Sequence, residues 1–286
     1  MEFADIRRQV VIAMFSDDVL FDRLVLKGGN ALALVHGVSS RGSLDIDLAM
    51  QGDFEDFSDT DRRIRRALRD RFDSVGILPF DMKFERRPRG ATAGRPRTWG
   101  GYVVEFKLIE HARARRLGED LEKMRREGHT IGPGQQRTFR IDISHHEFCS
   151  PKTAADLDGY TIYVYTPEMC VLEKLRAICQ QMEEYPFTAT TRRPRARDLY
   201  DIHETMERFT SIDLSAQDNL ELCGQIFEAK EVPVALLGRI QYVREYHRPD
   251  WDRVRTATSG PLREYDYYFD YVIRVVLSQL KPLWIV

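Results

Sequence analysis

The chain has 286 residues, 43% of them hydrophobic and 31% charged, and a formal net charge of −2. This composition is typical of a soluble globular protein and excludes a disordered or fibrous one. No apolar run approaches the ~20 residues of a membrane helix, and the N-terminus lacks the basic start of a signal peptide. The four cysteines form no CxxC pair. We therefore expect a cytoplasmic protein with no membrane partner, zinc knuckle or disulfide framework.

The first third of the chain alternates helical and strand patterns. The run Leu24-Val25-Leu26 predicts a short strand that ends at a turn, Gly28-Gly29. The strict alternation in Leu44-Asp45-Ile46-Asp47-Leu48 predicts a second strand. Apolar residues at helical spacing, or good helix formers, predict helices at 6–15, 31–35 and 60–74.

Further strand patterns follow before the periodicity becomes helical at Pro167. Residues 77–85 and 102–109 predict two strands of a hairpin, joined by an Arg/Pro/Gly-rich loop at 86–98. Charges at helical spacing follow at 110–127, and two more strands are predicted at 139–143 and 160–165.

From Pro167, a favourable first helical residue, the periodicity is helical to the end. The predicted helices are 167–184, 196–209, 216–230, 234–247 and 262–280. We therefore predict an α/β (α+β) domain at residues 1–165 and an all-helical domain at 166–286.

Arginines cluster in three segments, although the net charge is nearly zero. Acidic residues interleave with the cluster at 62–71, which indicates helix-surface ion pairs. A second cluster lies in the 86–97 segment. The third has no interleaved acid, which favours contact with phosphates; its members are Arg192, Arg193, Arg195 and Arg197.

Two carboxylates, Asp45 and Asp47, stand two residues apart on a predicted strand. Side chains alternate across a strand, so both point to one face with Cα atoms roughly 6.6 Å apart. Such a pair repels itself unless a cation lies between, and Mg²⁺ prefers carboxylates together with substrate phosphates. Asp142, on a later strand, could supply a third carboxylate to a two-metal clamp. An Asp-x-Asp pair alone is weak support, since exposed strands often carry paired acids.

Three other candidate motifs are weak when each is considered alone. Lys27-Gly28-Gly29-Asn30 could present backbone N–H groups to a phosphate or could be an ordinary strand-to-helix turn. Lys174 lies on a predicted helix, where a surface lysine is the plain alternative. In Arg197-Asp198-Leu199-Tyr200-Asp201 the acids could simply be favourable first-turn charges.

The ordered set of motifs resembles the AbiEii/AbiGii toxin family, in the polymerase-beta-like nucleotidyltransferase superfamily, to which MenT toxins also belong. The motifs span residues 27–201, and Asn30 stands where the family usually has Thr. They are Lys27-Gly28-Gly29, Ala31-Leu32, Arg41-x-Ser43-x-Asp45-Ile46-Asp47-Leu48, Arg140-Ile141-Asp142-Ile143, Lys174-x-x-Ala177 and Arg197-Asp198-x-x-Asp201.

The resemblance implies transfer of a nucleotide from a nucleoside triphosphate to an acceptor, with tRNA or another RNA as the expected acceptor and Mg²⁺ as cofactor. It implies that Asp45 and Asp47 hold the metal and that Lys174 neutralises the β/γ-phosphates. Either Asp142 or Asp198 would be the third catalytic carboxylate, with Asp142 also a possible metal ligand. The implied nucleotide-binding residues are Gly28, Gly29, Arg41, Ser43 and Lys174.

The resemblance also implies a mixed-sheet nucleotidyltransferase domain, a role in a type IV-like toxin–antitoxin or phage-defence system, and a cognate antitoxin as partner. Two alternatives stay open: an enzyme that nucleotidylates a protein, and an inactive module that binds nucleotide or antitoxin. His145-His146 is a weak metal candidate because neighbouring side chains on a strand point to opposite faces. The aromatic run at 265–271 could stack on bases, but its helical spacing favours the core.

Overall fold

The computed structural model describes residues 3–38, 45–89, 96, 98–118, 120–131, 136–185, 187 and 192–285. Two of the predicted site residues, Arg41 and Ser43, lie outside the described residues. The described residues fall into two compact units. The first draws on Met1–Asn30, Ser43–Ala91 and Gly100–Val164, and the second on Ala31–Gly42, Thr92–Trp99 and Tyr165–Val286.

Strands and helices alternate from the N-terminus to Tyr165. The strands are β1 (Val25–Lys27), β2 (Ile46–Ala49), β3 (Ile77–Arg87), β4 (Gly101–Glu110), β5 (Phe139–Ser144), β6 (Lys152–Leu157) and β7 (Tyr160–Tyr165). The helices are α1 (Phe3–Met14), α2 (Asp18–Arg23), α3 (Gly28–Leu34), α4 (Phe57–Asp73), α5 (His111–Arg116) and α6 (Leu121–Glu127).

The seven strands form one mixed sheet in the order β3-β4-β5-β2-β1-β7-β6. The pairs β2–β5 and β1–β7 are parallel, whereas β1–β2, β3–β4 and β4–β5 are antiparallel. The predicted hairpin of β3 and β4 is confirmed, with a bulge between Phe80 and Lys83. The sheet confirms the predicted mixed α/β architecture, and it places β1, β2 and β5 side by side in the interior of the sheet.

Helices α1 and α4 pack together, and α4 also packs on β3. Apolar residues at helical spacing create the buried face of α4, among them Ile64, Leu68 and Phe72. On its polar face Arg62 and Arg63 pair with Asp59, and Arg65 pairs with Asp61. The prediction that this arginine cluster forms helix-surface ion pairs is therefore confirmed.

From Pro167 onward the described chain consists of helices and their connections, as predicted. The α-helices are α7 (Pro167–Cys179), α8 (Ala196–Arg208), α9 (Gln217–Glu228), α10 (Arg244–His247), α11 (Trp251–Ala257), α12 (Tyr265–Tyr271) and α13 (Leu277–Gln279). In the part of the chain from residue 192 that the structure describes, the 3₁₀ helices are Val234–Val243, Arg248–Asp250 and Lys281–Leu283. Val272–Val276 is a π-helix. The helix predicted over 234–247 is thus mostly 3₁₀, and the one over 262–280 is interrupted.

Helix α7 is central to the second unit, because it packs against both α8 and α9. It begins where Thr166 accepts a hydrogen bond from the Met169 N–H, followed by Pro167 in its first turn. The aromatic run in α12 is mainly core, since Tyr265, Tyr268 and Phe269 are buried. No described helix is both long and apolar enough to cross a membrane.

Candidate functional site

Three charged residues form a row across β1, β2 and β5. Lys27 lies opposite Asp47 in the antiparallel β1–β2 pair, and Asp47 lies opposite Asp142 in the parallel β2–β5 pair. Residues opposite each other on neighbouring strands share a face of the sheet. Asp45 immediately precedes β2, and its charge acts on Arg140, which binds Asp142, so Asp45 lies near the other two carboxylates. The predicted carboxylates Asp45, Asp47 and Asp142 are therefore close together, and all three are half-buried.

Arg140 provides the positive charge among these carboxylates. Its Nε and Nη2 donate to the two Asp142 oxygens over 2.8 and 2.7 Å. The hydrogen bond with Asp142 raises the pKa of Arg140; burial opposes the rise, and the charges of Asp142, Asp45 and Glu105 add to it. Arg140 belongs to the motif Arg140-Ile141-Asp142-Ile143, but no role was predicted for it.

Lys27 is held by an acid that lies 120 positions along the chain. Its Nζ donates to Oε1 of Glu147 over 3.0 Å, and both residues are buried. A buried charge is costly without a partner, so this ion pair helps to stabilise both residues. This ion pair holds the Lys27 side chain, which is the β1 member of the row across β1, β2 and β5.

Gly28 opens α3 directly beside Asp47. Its φ of +67° is in the left-handed region, and a Cβ there would lie 2.7 Å from Oδ2 of Asp47. Two residues on, the buried Asn30 donates from Nδ2 to the Asp45 carbonyl oxygen over 2.6 Å. Gly29 is buried in the same turn. Helix α3 has only seven residues, so its dipole is a weak feature of this turn. The more distinctive feature is the close approach of Gly28 to the Asp47 carboxylate.

The oxygen donors on this face fit a hard divalent cation. Mg²⁺ takes one or two carboxylates and completes its shell with water and substrate phosphates. Asp45 and Asp47 can supply those carboxylates. Asp142 can join them through its remaining lone pairs, because an ionised carboxylate accepts about four hydrogen bonds and Arg140 occupies two of its sites.

In the second unit Lys174 on α7 joins two acids of α8. Its Nζ lies 3.1 Å from Oδ1 of Asp198 and 2.7 Å from Oδ2 of Asp201. All three residues are buried. Burial raises the pKa of Asp198, but the charges of Arg195, Lys174 and Arg197 outweigh it and leave that pKa well below its usual range. The helix pair thus carries a buried cluster in which the Asp198 carboxylate is ionised.

Two members of the third arginine cluster are paired with acids. Arg195 Nε donates to Asp198 Oδ2, and Arg192 lies 2.9 Å from Glu183. The run contains no acid, but these two side chains pair with acids on either side of it, so the expectation that they are available for phosphate contact is wrong. Arg193 and Arg197 are exposed, and within the described chain neither side chain forms a salt bridge.

His247 supports the turn that leads into α8. Its Nδ1 accepts a hydrogen bond from the Arg195 N–H over 3.0 Å, so this nitrogen carries no proton. Burial lowers the pKa of His247 to about 4; Asp198 raises it, and Arg195 and Arg192 lower it further. The imidazole is therefore neutral near pH 7.

The prediction that His145 and His146 point apart is wrong. They follow β5 rather than continuing it, and His146 has a left-handed φ of +51°. Their ring centroids lie 4.6 Å apart, with Asp53 beside them. Burial raises the pKa of Asp53, but hydrogen bonds from Tyr102 and Phe54 and the neighbouring His145 lower it on balance.

The first unit thus brings together Gly28, Asp45, Asp47 and Asp142, and the second brings together Lys174 and Asp198. Sequence reasoning missed Glu147 and Asp201. Asp201 stood in the quoted motif at helical spacing from Asp198, a signal that it shares a helix face. Glu147 offers no such signal, since its partner Lys27 lies 120 positions away on β1.

A model of the family described as "Nucleotidyl transferase AbiEii toxin, Type IV TA system" matches residues 10–271. No curated protein matches the chain. Among solved structures, an antigenic nucleotidyltransferase-like protein from Paracoccidioides brasiliensis is similar at a TM-score of 0.40 with 14% sequence identity. The similarity covers 90% of this chain and 95% of that one. Because the family model matches most of the sequence, the chain belongs to the AbiEii nucleotidyltransferase toxin family of type IV toxin–antitoxin systems.

Proposed function

We propose that this nucleotidyltransferase uses Mg²⁺ to transfer a nucleotide from a nucleoside triphosphate to an RNA acceptor, with tRNA as the first candidate. It would act in the cytoplasm as the toxin of a type IV-like toxin–antitoxin or phage-defence system, opposed by a cognate antitoxin. The register that sets Asp142 opposite Asp47 carries the proposal, because it puts these two carboxylates side by side, with Asp45 just before β2.

Asp45 and Asp47 are the proposed metal ligands. Bound Mg²⁺ would neutralise phosphate charge and orient the triphosphate for in-line attack. Before metal binds, Arg140 balances part of the negative charge on this face. Gly28 leaves room for the Asp47 carboxylate and, with Gly29, for close approach of a phosphate to the backbone. Arg41 and Ser43 remain proposed nucleotide-binding residues.

Of the two candidates for the third carboxylate, we favour Asp142. It lies beside Asp47 and near Asp45, where a carboxylate could accept the proton of the attacking hydroxyl. Cations bind both carboxylates, Arg140 at Asp142 and Lys174 with Arg195 at Asp198, but Asp142 is half-buried whereas Asp198 is buried. We therefore assign Asp198 and Asp201 to positioning Lys174, whose ammonium is the proposed counter-charge for the departing pyrophosphate.

An RNA acceptor is supported by exposed arginine at Arg193 and Arg197, beside the segment that carries Asp198. Exposed guanidinium groups bind phosphates through charge-assisted hydrogen bonds. Their proximity in sequence to the Lys174 cluster is consistent with an acceptor strand that approaches this part of the second unit.

The test is to incubate the purified protein and Mg²⁺ with each of the four α-labelled nucleoside triphosphates, offering total RNA, purified tRNA or an RNA-free protein extract. We expect label from one or two nucleotides in RNA, and loss of that label when EDTA is added. Label in protein alone would identify the protein-nucleotidylating alternative. Absence of label from every acceptor, under conditions in which nucleotide binds, would instead favour the inactive binding module.

A further inference from the structure

Three metal-ligating side chains, Asp53, His145 and His146, meet where β5 ends. One ligand atom from each lies within 4.8 Å of the others. Oδ2 of Asp53 is 3.5 Å from Nδ1 of His145, and the two imidazole centroids are 4.6 Å apart. All three residues are half-buried. Two nitrogen donors and one oxygen donor are therefore clustered at a half-buried position.

We propose that Asp53, His145 and His146 bind one divalent transition-metal ion of the Zn²⁺ type. Imidazole suits Zn²⁺ and its first-row neighbours, whereas Mg²⁺ prefers oxygen ligands. Tetrahedral Zn²⁺ with bonds of about 2.0–2.1 Å requires ligand atoms roughly 3.3 Å apart. The present ligand atoms lie up to 4.8 Å apart, so metal binding would require these side chains to move closer together.

The backbone holds the two histidines in place. The His145 N–H donates to the Gly100 carbonyl over 3.3 Å, and the His146 N–H donates to the Gly52 carbonyl over 3.2 Å. The left-handed conformation of His146 brings both rings to one side, which an extended continuation of β5 would prevent. A non-glycine residue in this conformation is uncommon and is found preferentially at functional sites.

The carboxylate is also oriented. Oδ1 of Asp53 accepts hydrogen bonds from the Tyr102 hydroxyl over 2.6 Å and from the Phe54 N–H over 2.8 Å. Oδ2 therefore faces His145. Outer partners of this kind fix ligating carboxylates in metal sites, and their loss typically weakens metal binding by 10–100-fold.

This site is separate from the carboxylate row. Ala49 and Ser144 pair at the end of β2 and β5 from which His145 follows, whereas Asp45 precedes the opposite end of β2. A bound ion would tie the connection between β2 and α4, which contains Asp53, to the end of β5. The proposal holds or fails independently of the proposed transfer reaction.

The test uses the full-length protein, stripped with EDTA and dialysed, and Zn²⁺ as the probe. Calorimetric titration measures affinity, metal analysis after dialysis measures stoichiometry, and thermal unfolding is followed with and without Zn²⁺. The variants are His145→Asn and His146→Gly, the second of which retains a residue suited to the left-handed backbone. The matched control is His129→Asn, a half-buried histidine elsewhere in the same unit.

We expect one Zn²⁺ per wild-type chain and a raised Tm. His145→Asn and His146→Gly should each weaken binding at least tenfold and lose the rise in Tm, and Tyr102→Phe should weaken it less. His129→Asn and the double variant Asp45→Asn/Asp47→Asn should bind Zn²⁺ like the wild type. Unchanged binding in both histidine variants, loss of Zn²⁺ only in the Asp45/Asp47 variant, or no dialysis-stable Zn²⁺ in the wild type would each overturn the proposal.

Discussion

Asp47 is surrounded by groups that restrict where its carboxylate can lie. Lys27 is opposite it on β1, Asp142 is opposite it on β5, and Gly28 approaches its Oδ2 at the start of α3. A metal site requires ligands that are held in place before the metal arrives, because misplacement by about 1 Å can cost a hundredfold in rate. We therefore expect the backbone at Gly28 to help position the proposed ligand Asp47.

Gly28→Ala tests this restriction. The added methyl group would come within 2.7 Å of Asp47 Oδ2, so we expect a loss of transfer rate on the order of a hundredfold. Gly76→Ala is the matched control, because Gly76 also has a positive φ but has no atom within 4 Å of a Cβ. Both variants should lose about 1 kcal/mol of stability from backbone strain. Equal transfer rates in the two variants would show that the Gly28–Asp47 contact is unimportant.

The contacts of a single residue can be predicted from the sequence when its partners are close to it along the chain. The pair Asp45 and Asp47 is visible because strand alternation is a local rule. The contact of Lys27 with Glu147 depends on the order of strands that are not neighbours in sequence, which one sequence does not provide. The pairing of Arg195 with Asp198 was overlooked although the residues lie one helical turn apart, because only the acid-free run was considered.

At the scale of elements, α7 and α8 are joined by the ion cluster of Lys174, Asp198 and Asp201. Lys174→Met would leave two buried carboxylates without their ammonium partner, and breaking a buried pair typically costs about 3–5 kcal/mol. Urea unfolding should detect this loss. Lys174→Met/Asp198→Asn/Asp201→Asn should recover part of the stability but none of the transfer activity. Recovery of activity in the triple variant would show that Lys174 is only structural.

His247 gives the connection into α8 a predicted pH dependence. Its pKa is about 4 in the folded state and about 6.5 when unfolded, so the fold favours the neutral ring. The stability that it contributes is fully present above pH 6.5 and is lost as the pH falls towards 4, with a slope of at most about 1.4 kcal/mol per pH unit. The free energy of unfolding, measured with urea between pH 7 and 4, should depend less steeply on pH in His247→Gln than in the wild type. An unchanged slope would contradict this assignment.

Element types were predictable where the hydrophobic pattern is strong. Helix α4 and strand β5 have clear buried faces, and both were predicted. Strand β6 was not, because only one of its six residues is buried and its sequence shows no apolar alternation. The 3₁₀ geometry of Val234–Val243 could not be predicted, since 3₁₀ and α-helices share similar apolar spacing and differ in packing.

At the scale of the whole molecule, the net charge of −2 makes RNA binding depend on local basic surface. Arg193→Glu/Arg197→Glu should weaken RNA binding and reduce the slope of log affinity against log salt, by about 0.7 for each RNA phosphate that the protein no longer neutralises. Nucleoside triphosphate binding should change little. Arg62→Glu/Arg69→Glu, the same charge change on exposed residues of α4, is the control. Equal weakening in both variants would indicate a nonspecific effect of net charge.

The central claim is that Asp45 and Asp47 hold the Mg²⁺ that nucleotide transfer requires. The most direct measurement is the rate of label incorporation from the preferred nucleoside triphosphate into RNA, as a function of Mg²⁺, for the wild type, Asp45→Ala and Asp47→Ala. We predict a Mg²⁺-dependent rate in the wild type and none in either variant, with Tm in EDTA unchanged or higher because a like charge has been removed. Near-wild-type transfer by either folded variant, or full activity of the wild type in EDTA, would contradict the account.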